Sequence, residues 1–403
     1  MVQGTQKSCA LQVRRVQRMN ALPATIVAAL ASVLGDGPAP LHEPRLDGNE
    51  SRYLSDCVAS AYVSSVGAYV DRFEADLVAL TGATHAVATV NGTSALHIAL
   101  LLAGVQPGDE VLVPALSFIA TANAVRYCGA TPHFLDSQES TLGLDPVAMR
   151  SWLAEISTMK SGKCVNQATG RRIAAVVPMH AFGHPCDMVG VTEVAAEFGL
   201  PVVEDAAESL GSLMNGQHTG TFGLLGTLSF NGNKIVTTGG GGAILTNDAH
   251  LAQRAKHLTT TAKVPHRWEY THDEVGYNYR MPNINAALGC AQLEQIDPFI
   301  SSKRRLYKKY LKALGQVDGV TLFQEPPGTR SNYWLQTLLL DENLADQRDE
   351  VLEALNNNGF MARPAWTLLS SLKPFHSCPS APLTGAKLLE QRIINVPSSA
   401  GLA

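Results

Sequence analysis

From His85 to about Asp248 the chain alternates short β-rich runs with longer helical stretches, and this rhythm constrains the fold more than any other feature. Strands are expected at His85–Val90, Glu110–Val113, Pro132–Leu135, Ile173–Pro178, Val202–Glu204, Thr227–Phe230 and Ala243–Leu245. Helices are expected at Ala95–Ala103, Ile119–Cys128 and Val189–Phe198. The strands are mostly continuous runs of Val, Ile, Leu and Ala, as in strands covered by helices on both faces. The expectation is a doubly wound α/β sheet, mostly parallel, with ligands at the C-terminal ends of the strands. After Pro282 a helix is expected from about Ile284 to Glu294, and another, with a basic face, at Lys303–Leu314. Val320–Phe323 and Tyr333–Leu340 then read as strands and Gln347–Asn356 as a helix. The resulting division is a leader over residues 1–20, a large domain over 21–299 that begins with a helix, and a smaller α+β domain over 300–403.

Composition narrows the function. Hydrophobic residues make up 45% and charged residues 16% of 403 residues, against about 25% charged in an average soluble domain. That excludes disorder and points to much buried surface, in a core or an oligomer interface. A net charge of −4 gives no general affinity for nucleic acid. The chain has 7 cysteines and none in CxxC spacing, which argues against zinc ribbons and fits a reducing cytoplasm better than a disulfide scaffold. No apolar run reaches the roughly 18 residues needed to span a bilayer. The first acidic residue is Asp36, after Lys7, Arg14, Arg15 and Arg18. A basic, acid-free start can mark a targeting peptide, but no apolar h-region follows directly, so Met1–Asn20 is expected to be a disordered leader.

Several strand ends carry chemistry-bearing residues. Asn91-Gly92-Thr93-Ser94 sits at a strand-to-helix turn, where hydroxyls and helix N-terminal amides make an anion site; Thr93 or Ser94 could equally be an ordinary N-cap. Asp205 ends the apolar run Val202–Glu204. A carboxylate there needs a partner, such as the protonated ring nitrogen of pyridoxal phosphate (PLP), or it caps a helix. Lys234 shares the stretch Gln217–Thr246 with no charged residue and with His218 as the one other titratable group. A lone lysine in apolar, glycine-rich surroundings favours the neutral amine that attacks a carbonyl; the alternative is an exposed loop lysine. Gly239–Gly242 let backbone pass close to a bulky group, and they do not fall as GxGxxG between a strand and a helix. Phe118 either stacks on a flat ring or belongs to the core. His180 and His184 have metal-ligand spacing but no third ligand nearby, so no metal site is expected. Phosphate turn, aromatic, Asp and Lys follow one another in the order a PLP site requires.

These residues lie in longer motifs: Gly48-Asn49-Glu50, Val63-Ser64-Ser65-Val66-Gly67, Asn91 to His97, Glu204 to Glu208, Ser229 to Lys234, and Gly276 to Pro282. With them the chain, from roughly Leu41 onward, resembles the DegT/DnrJ/StrS family of PLP-dependent nucleotide-sugar aminotransferases. Lys256–Lys263, His272–Glu274 and Pro178–Gly183 are similar to the legionaminic acid/bacillosamine branch. That branch aminates C4 of a nucleotide-linked 4-keto-6-deoxy sugar.

The resemblance implies the PLP-transferase fold type I and a set of roles. Lys234 is the Schiff-base lysine and catalytic residue, Asp205 holds the pyridine nitrogen, and Phe118 stacks on the ring. Gly92, Thr93 and Ser229 bind the phosphate, with Ser94 and Asn231 counted among the cofactor-binding residues. Glu208 lies near the ring. Asn278 reaches the cofactor of the partner subunit, which implies a homodimer with shared active sites. Ser64, His180, His257 and Arg280 are substrate-side candidates. The expected partners are an amino donor, glutamate, and a nucleotide-linked keto-sugar. Family members in which His replaces the lysine act as dehydratases, so Lys234 favours transamination over dehydration. A non-catalytic PLP-binding or regulatory protein is the other alternative. Residues 1–20 have no counterpart in the family pattern, and relatives usually run slightly further past Asn395–Ser399.

Overall fold

The structure, a computed structural model, describes residues 22–403. The expected leader lies outside the described residues. The expected strands form one sheet: β1 (His85–Thr89), β2 (Glu110–Pro114), β3 (Thr131–Leu135), β4 (Ile173–Val176), β5 (Val203–Asp205), β6 (Leu225–Ser229) and β7 (Gly242–Thr246). Their spatial order is β3-β2-β4-β5-β6-β7-β1, with β4 and β5 joined by parallel bridges at Val176/Val202 and Met179/Asp205. Every strand is parallel to the others except β7, which runs antiparallel to both β6 and β1. The sheet is therefore mostly parallel, as the continuous apolar runs predict.

Alternation along the strands shows that both faces are covered. Val111, Val113, Phe134, Ala175 and Val203 pack with Ala95, Ile98 and Ala99 of helix Gly92–Leu102 and with Ala122 and Val125 of helix Ile119–Tyr127. Leu112, Leu135, Val176 and Val202 point the other way, onto Met149 and Leu153 of helix Pro146–Ile156 and Val191 and Val194 of helix Met188–Glu197. Where β7 passes β1, a Cβ on Gly242 would lie 2.4 Å from the Asn91 carbonyl carbon. The close approach served by this glycine is therefore strand to turn.

A second core lies beyond it. The antiparallel sheet of Val320–Leu322, Gln336–Leu340, Ile393–Val396 and Arg363–Pro364 packs against helix Arg348–Asn357 and the far half of helix Ile296–Leu314. Two expectations change here. Helix Leu22–Leu34 buries Ile26 and Leu30 in this second core, beside Leu306, Tyr310 and Leu355, and not in the large unit assigned to 21–299. The boundary near residue 300 falls inside the 19-residue helix Ile296–Leu314, whose Ile296, Phe299 and Ile300 join the first core and whose Leu306, Tyr310 and Leu314 join the second. An amphipathic pattern without glycine or proline in its middle gives no signal for such a change of partner.

Cys57, Cys128, Cys164, Cys186, Cys290 and Cys378 are free thiols. Among the described residues, no helix is long and apolar enough to cross a membrane.

The two cores meet at Lys303, which is fully buried. Its amine donates to the Trp334 carbonyl at 3.1 Å, to Ser398 Oγ at 3.0 Å and to the Ser398 carbonyl. Burial pushes this amine well below the usual lysine range. Between that lowered value and the ordinary lysine range unfolding takes up a proton, so folding stability should rise with pH across that interval. Denaturant unfolding of wild type and Lys303→Met at about pH 7 and about pH 9 tests this. The wild-type stability relative to the variant is expected to grow with pH, and a pH-independent difference would contradict it.

Candidate active site

The C-terminal ends of β1, β5 and β6 open onto a cavity of about 330 Å³. Asn91, Gly92, Thr93, Phe118, Asp205, Glu208, Ser229, Asn231 and Lys234 line it, together with Trp334 and Trp366. Most of the residues singled out by the sequence therefore meet in one place.

At the first turn, Asn91 is the N-cap of helix Gly92–Leu102, and its side chain accepts from the Ser94 amide at 2.7 Å. The cap is thus neither Thr93 nor Ser94. Ser94 is buried and does not line the cavity, whereas Gly92 and Thr93 do, at the positive end of the helix. A Cβ on Gly92 would lie 2.8 Å from Ser229 Cβ, so only glycine lets the turn sit against the end of β6.

Asp205 ends β5 and is 5% exposed. Its carboxylate accepts from Thr121 Oγ1 at 2.8 Å and from the Ala207 amide at 3.3 Å. Burial raises its pKa, and the Thr121 hydrogen bond pulls the other way. Glu208 accepts from the Phe182 amide at 2.9 Å and from Lys234 Nζ at 3.0 Å. Burial raises its pKa as well, opposed chiefly by the charge on Lys234. Lys234 is therefore not a lone charge. It pairs with a carboxylate 26 residues away in sequence, and its ammonium also lies 4.0 Å from the centre of the Trp334 ring.

Phe118 is 49% exposed, which excludes the core alternative. It stands at the cavity edge with its ring 6.5 Å from that of Trp366, which stacks on Phe182 at 4.7 Å. Asn231 donates to Asn233 Oδ1 at 2.9 Å, inside the turn that carries Lys234.

The substrate-side candidates are not brought to the cavity. His180 is fully buried, with Nε2 3.1 Å from Glu204 and Nδ1 accepting from the Cys186 amide at 3.0 Å. One nitrogen faces Glu204 of β5 and the other takes the Cys186 amide, so the ring is committed inside the fold and does not face the cavity, unlike the substrate-side expectation. His257 is paired with Asp273 at 2.7 Å, away from the cavity. Ser64 and Asn278 are exposed on the surface and line no part of the cavity. Arg280 forms a backbone bridge with Thr89, and its Nε is buried without a partner. His184 is buried against Phe323 and Tyr333, and burial lowers its pKa to about 3.

Sequence reasoning missed Thr121, Trp334 and Trp366. Thr121 carries a weak signal, a hydroxyl three residues after Phe118. Trp334 and Trp366 carry none, because they reach the cavity from the C-terminal part of the chain.

The chain belongs to the DegT/DnrJ/EryC1/StrS aminotransferase family, whose model matches residues 44–403. It is 38% identical over 360 residues to a GDP-perosamine synthase of Caulobacter vibrioides, covering 89% of this chain and 92% of that protein. It is 37% identical over 339 residues to Bacillus subtilis EpsN, a pyridoxal phosphate-dependent aminotransferase by name, covering 84% and 82%. The aminotransferase TlmJ from Streptoalloteichus hindustanus has the same fold, with a TM-score of 0.82 and 28% identity over 91% of this chain and 95% of that one. This chain is accordingly a PLP-dependent aminotransferase with the fold of that class.

The cavity fits that cofactor. It joins an anion-binding helix start, a buried carboxylate that lacks a cation of its own, an amine and an aromatic edge. Gly92→Ala forces apart the turn and the end of β6, an overpacking of about 1–3 kcal/mol. The variant is expected to fold and to bind PLP at least about tenfold more weakly by equilibrium dialysis. Unchanged affinity would remove Gly92 from the cofactor site.

Proposed function

We propose that this chain transfers an amino group from glutamate to C4 of a nucleotide-linked 4-keto-6-deoxy sugar, in the making of cell-surface glycans. The observation that carries the transaminase chemistry is the convergence of Lys234, Asp205 and Glu208 in one cavity. The C4 position and the 6-deoxy sugar rest on the motifs Lys256–Lys263, His272–Glu274 and Pro178–Gly183. The name of the Caulobacter relative favours a GDP-linked sugar.

When bound, PLP supplies an electron sink for the charge left on the carbon that loses its proton. Gly92, Thr93 and Ser229 would hold its phosphate, Asp205 would meet its ring nitrogen, and Phe118 would lie against its ring. Lys234 Nζ takes a proton from the α-carbon of the donor and returns one later, acting as base and then acid. Glu208, fixed by the Phe182 amide, keeps that amine within reach. With the donor leaving as 2-oxoglutarate before the keto-sugar enters, Lys234 would make the same proton transfers in reverse, giving ping-pong kinetics.

The functional unit we propose is a homodimer in the cytoplasm. Tyr62, Val63, Val66, Trp268, Tyr270 and Val275 are large apolar side chains exposed on the surface, in two short stretches of the chain. Ser64 lies in the first of these stretches and Asn278 just after the second, and a partner subunit would carry them to the neighbouring cavity. Free buried thiols suit a reducing compartment.

Purified protein with glutamate should release 2-oxoglutarate and convert a GDP- or UDP-linked 4-keto-6-deoxy sugar to its amine, read by mass. Sugar turnover without 2-oxoglutarate would favour dehydration. Lys234→Ala should abolish turnover and the visible absorbance of the bound cofactor, and retained turnover would exclude the assignment. Asp205→Asn should slow turnover by roughly 10²–10³-fold with cofactor binding partly intact; near-normal rates would exclude its role.

A further inference from the structure

We infer that Trp334 is a positioning residue for the catalytic amine: the face of its indole and the Glu208 carboxylate together clasp the Lys234 ammonium. The inference rests on the aminotransferase reading for its catalytic meaning and on geometry for the contact. Lys234 Nζ lies 4.0 Å from the centre of the Trp334 ring and 3.0 Å from Glu208 Oε1. A cation over a desolvated indole face is held electrostatically by the ring quadrupole, and tryptophan is the best of the aromatic rings at this. The Trp334 side is desolvated, since that residue is 5% exposed.

Trp334 is anchored through both its ring and its backbone. Its Nε1 donates to the Asn233 carbonyl at 2.7 Å, one residue before the lysine it serves. Its amide donates to Asn332 Oδ1 at 2.7 Å, and its carbonyl accepts from the buried Lys303. Asn332 also donates from Nδ2 to the carbonyls of Glu208 and Leu210, both at 2.9 Å. One amide side chain thereby ties together the two groups that hold the amine. Two bulky residues beside them, Phe182 at φ 58° and Tyr333 at φ 48°, sit in the left-handed region. Such strain persists where the surroundings over-determine the backbone. Phe182 presents its amide to Glu208, and Tyr333 precedes Trp334.

An amine that alternates between base and acid spends part of the cycle as an ammonium, and it is in that form that Glu208 and the indole face hold it. Glu208 alone favours the ammonium by full charge, whereas the indole adds attraction without a titratable group. The titratable groups that sense the Lys234 charge are Glu208, Asp205 and His42. None of them is contributed by the element that carries Trp334.

The test compares wild type, Trp334→Phe and Trp334→Leu as full-length, cofactor-free chains. Lys234 is labelled with acetic anhydride and its rate is measured by mass spectrometry against the other lysines, near pH 7 and near pH 11. Loss of the ring face should speed labelling of Lys234 by about tenfold near pH 7 in the leucine variant. The difference should shrink near pH 11, and the phenylalanine variant should stay near wild type. A rate raised equally at both pH values would mean simple access, and an unchanged rate would mean no contact; either overturns the inference. Wild type grown with trifluorotryptophan weakens the ring quadrupole at constant shape, and it should also label faster near pH 7; no change there overturns it even if the leucine variant does not fold. In the loaded enzyme the leucine variant should lower kcat about tenfold with KM for glutamate nearly unchanged, and the phenylalanine variant should recover most of it. Equal losses in both would assign Trp334 to packing alone. The labelling needs no turnover, so failure of the aminotransferase reading would leave its outcome standing.

Discussion

Two buried carboxylates at the end of one strand set the terms for the rest of the site. Asp205 and Glu208 are taken out of water by β5 and its following turn, and burial drives both toward the neutral form. Such groups are tolerated when something charged or proton-donating meets them. Lys234 meets Glu208, while Asp205 has only a hydroxyl and an amide. The sheet order explains why they converge: β5 and β6 are parallel neighbours, so both strand ends open on the same edge, next to the helix start after β1. A protonated ring nitrogen would complete Asp205, as family membership leads one to expect.

Much of this was legible in the sequence because it is local. Continuous apolar runs mark strands covered on both faces, and a polar residue directly after such a run marks a strand end. Gly92, Thr93, Asp205, Ser229 and Lys234, which line one cavity, stand out in that way or through the motifs around them. The Phe118 ambiguity was also of a kind that only burial settles, since a phenylalanine just past a strand can face either the core or the cavity.

What stayed hidden was set by contacts between distant parts of the chain. The pairing of Lys234 with Glu208 turned an expected lone amine into half of an ion pair. Trp334 lies in a stretch that reads as one strand, Tyr333–Leu340, yet the strand begins at Gln336 and the preceding residues bend into the cavity. Helix Leu22–Leu34 packs with partners nearly 300 residues away, so its placement in the second core has no local signature. His180 misled for the opposite reason: its position at a strand end is right, but its ring turns inward to Glu204.

The most direct measurement follows nitrogen from donor to product. The chain would be incubated with ¹⁵N-glutamate and a GDP-linked 4-keto-6-deoxy sugar, and the product examined by NMR for one-bond coupling between ¹⁵N and carbon. The label on C4 of the sugar, with 2-oxoglutarate formed in equal amount, is the predicted result. Label on another ring carbon would contradict the C4 reading, and label left in glutamate with this sugar and its UDP counterpart would contradict the proposed transfer itself.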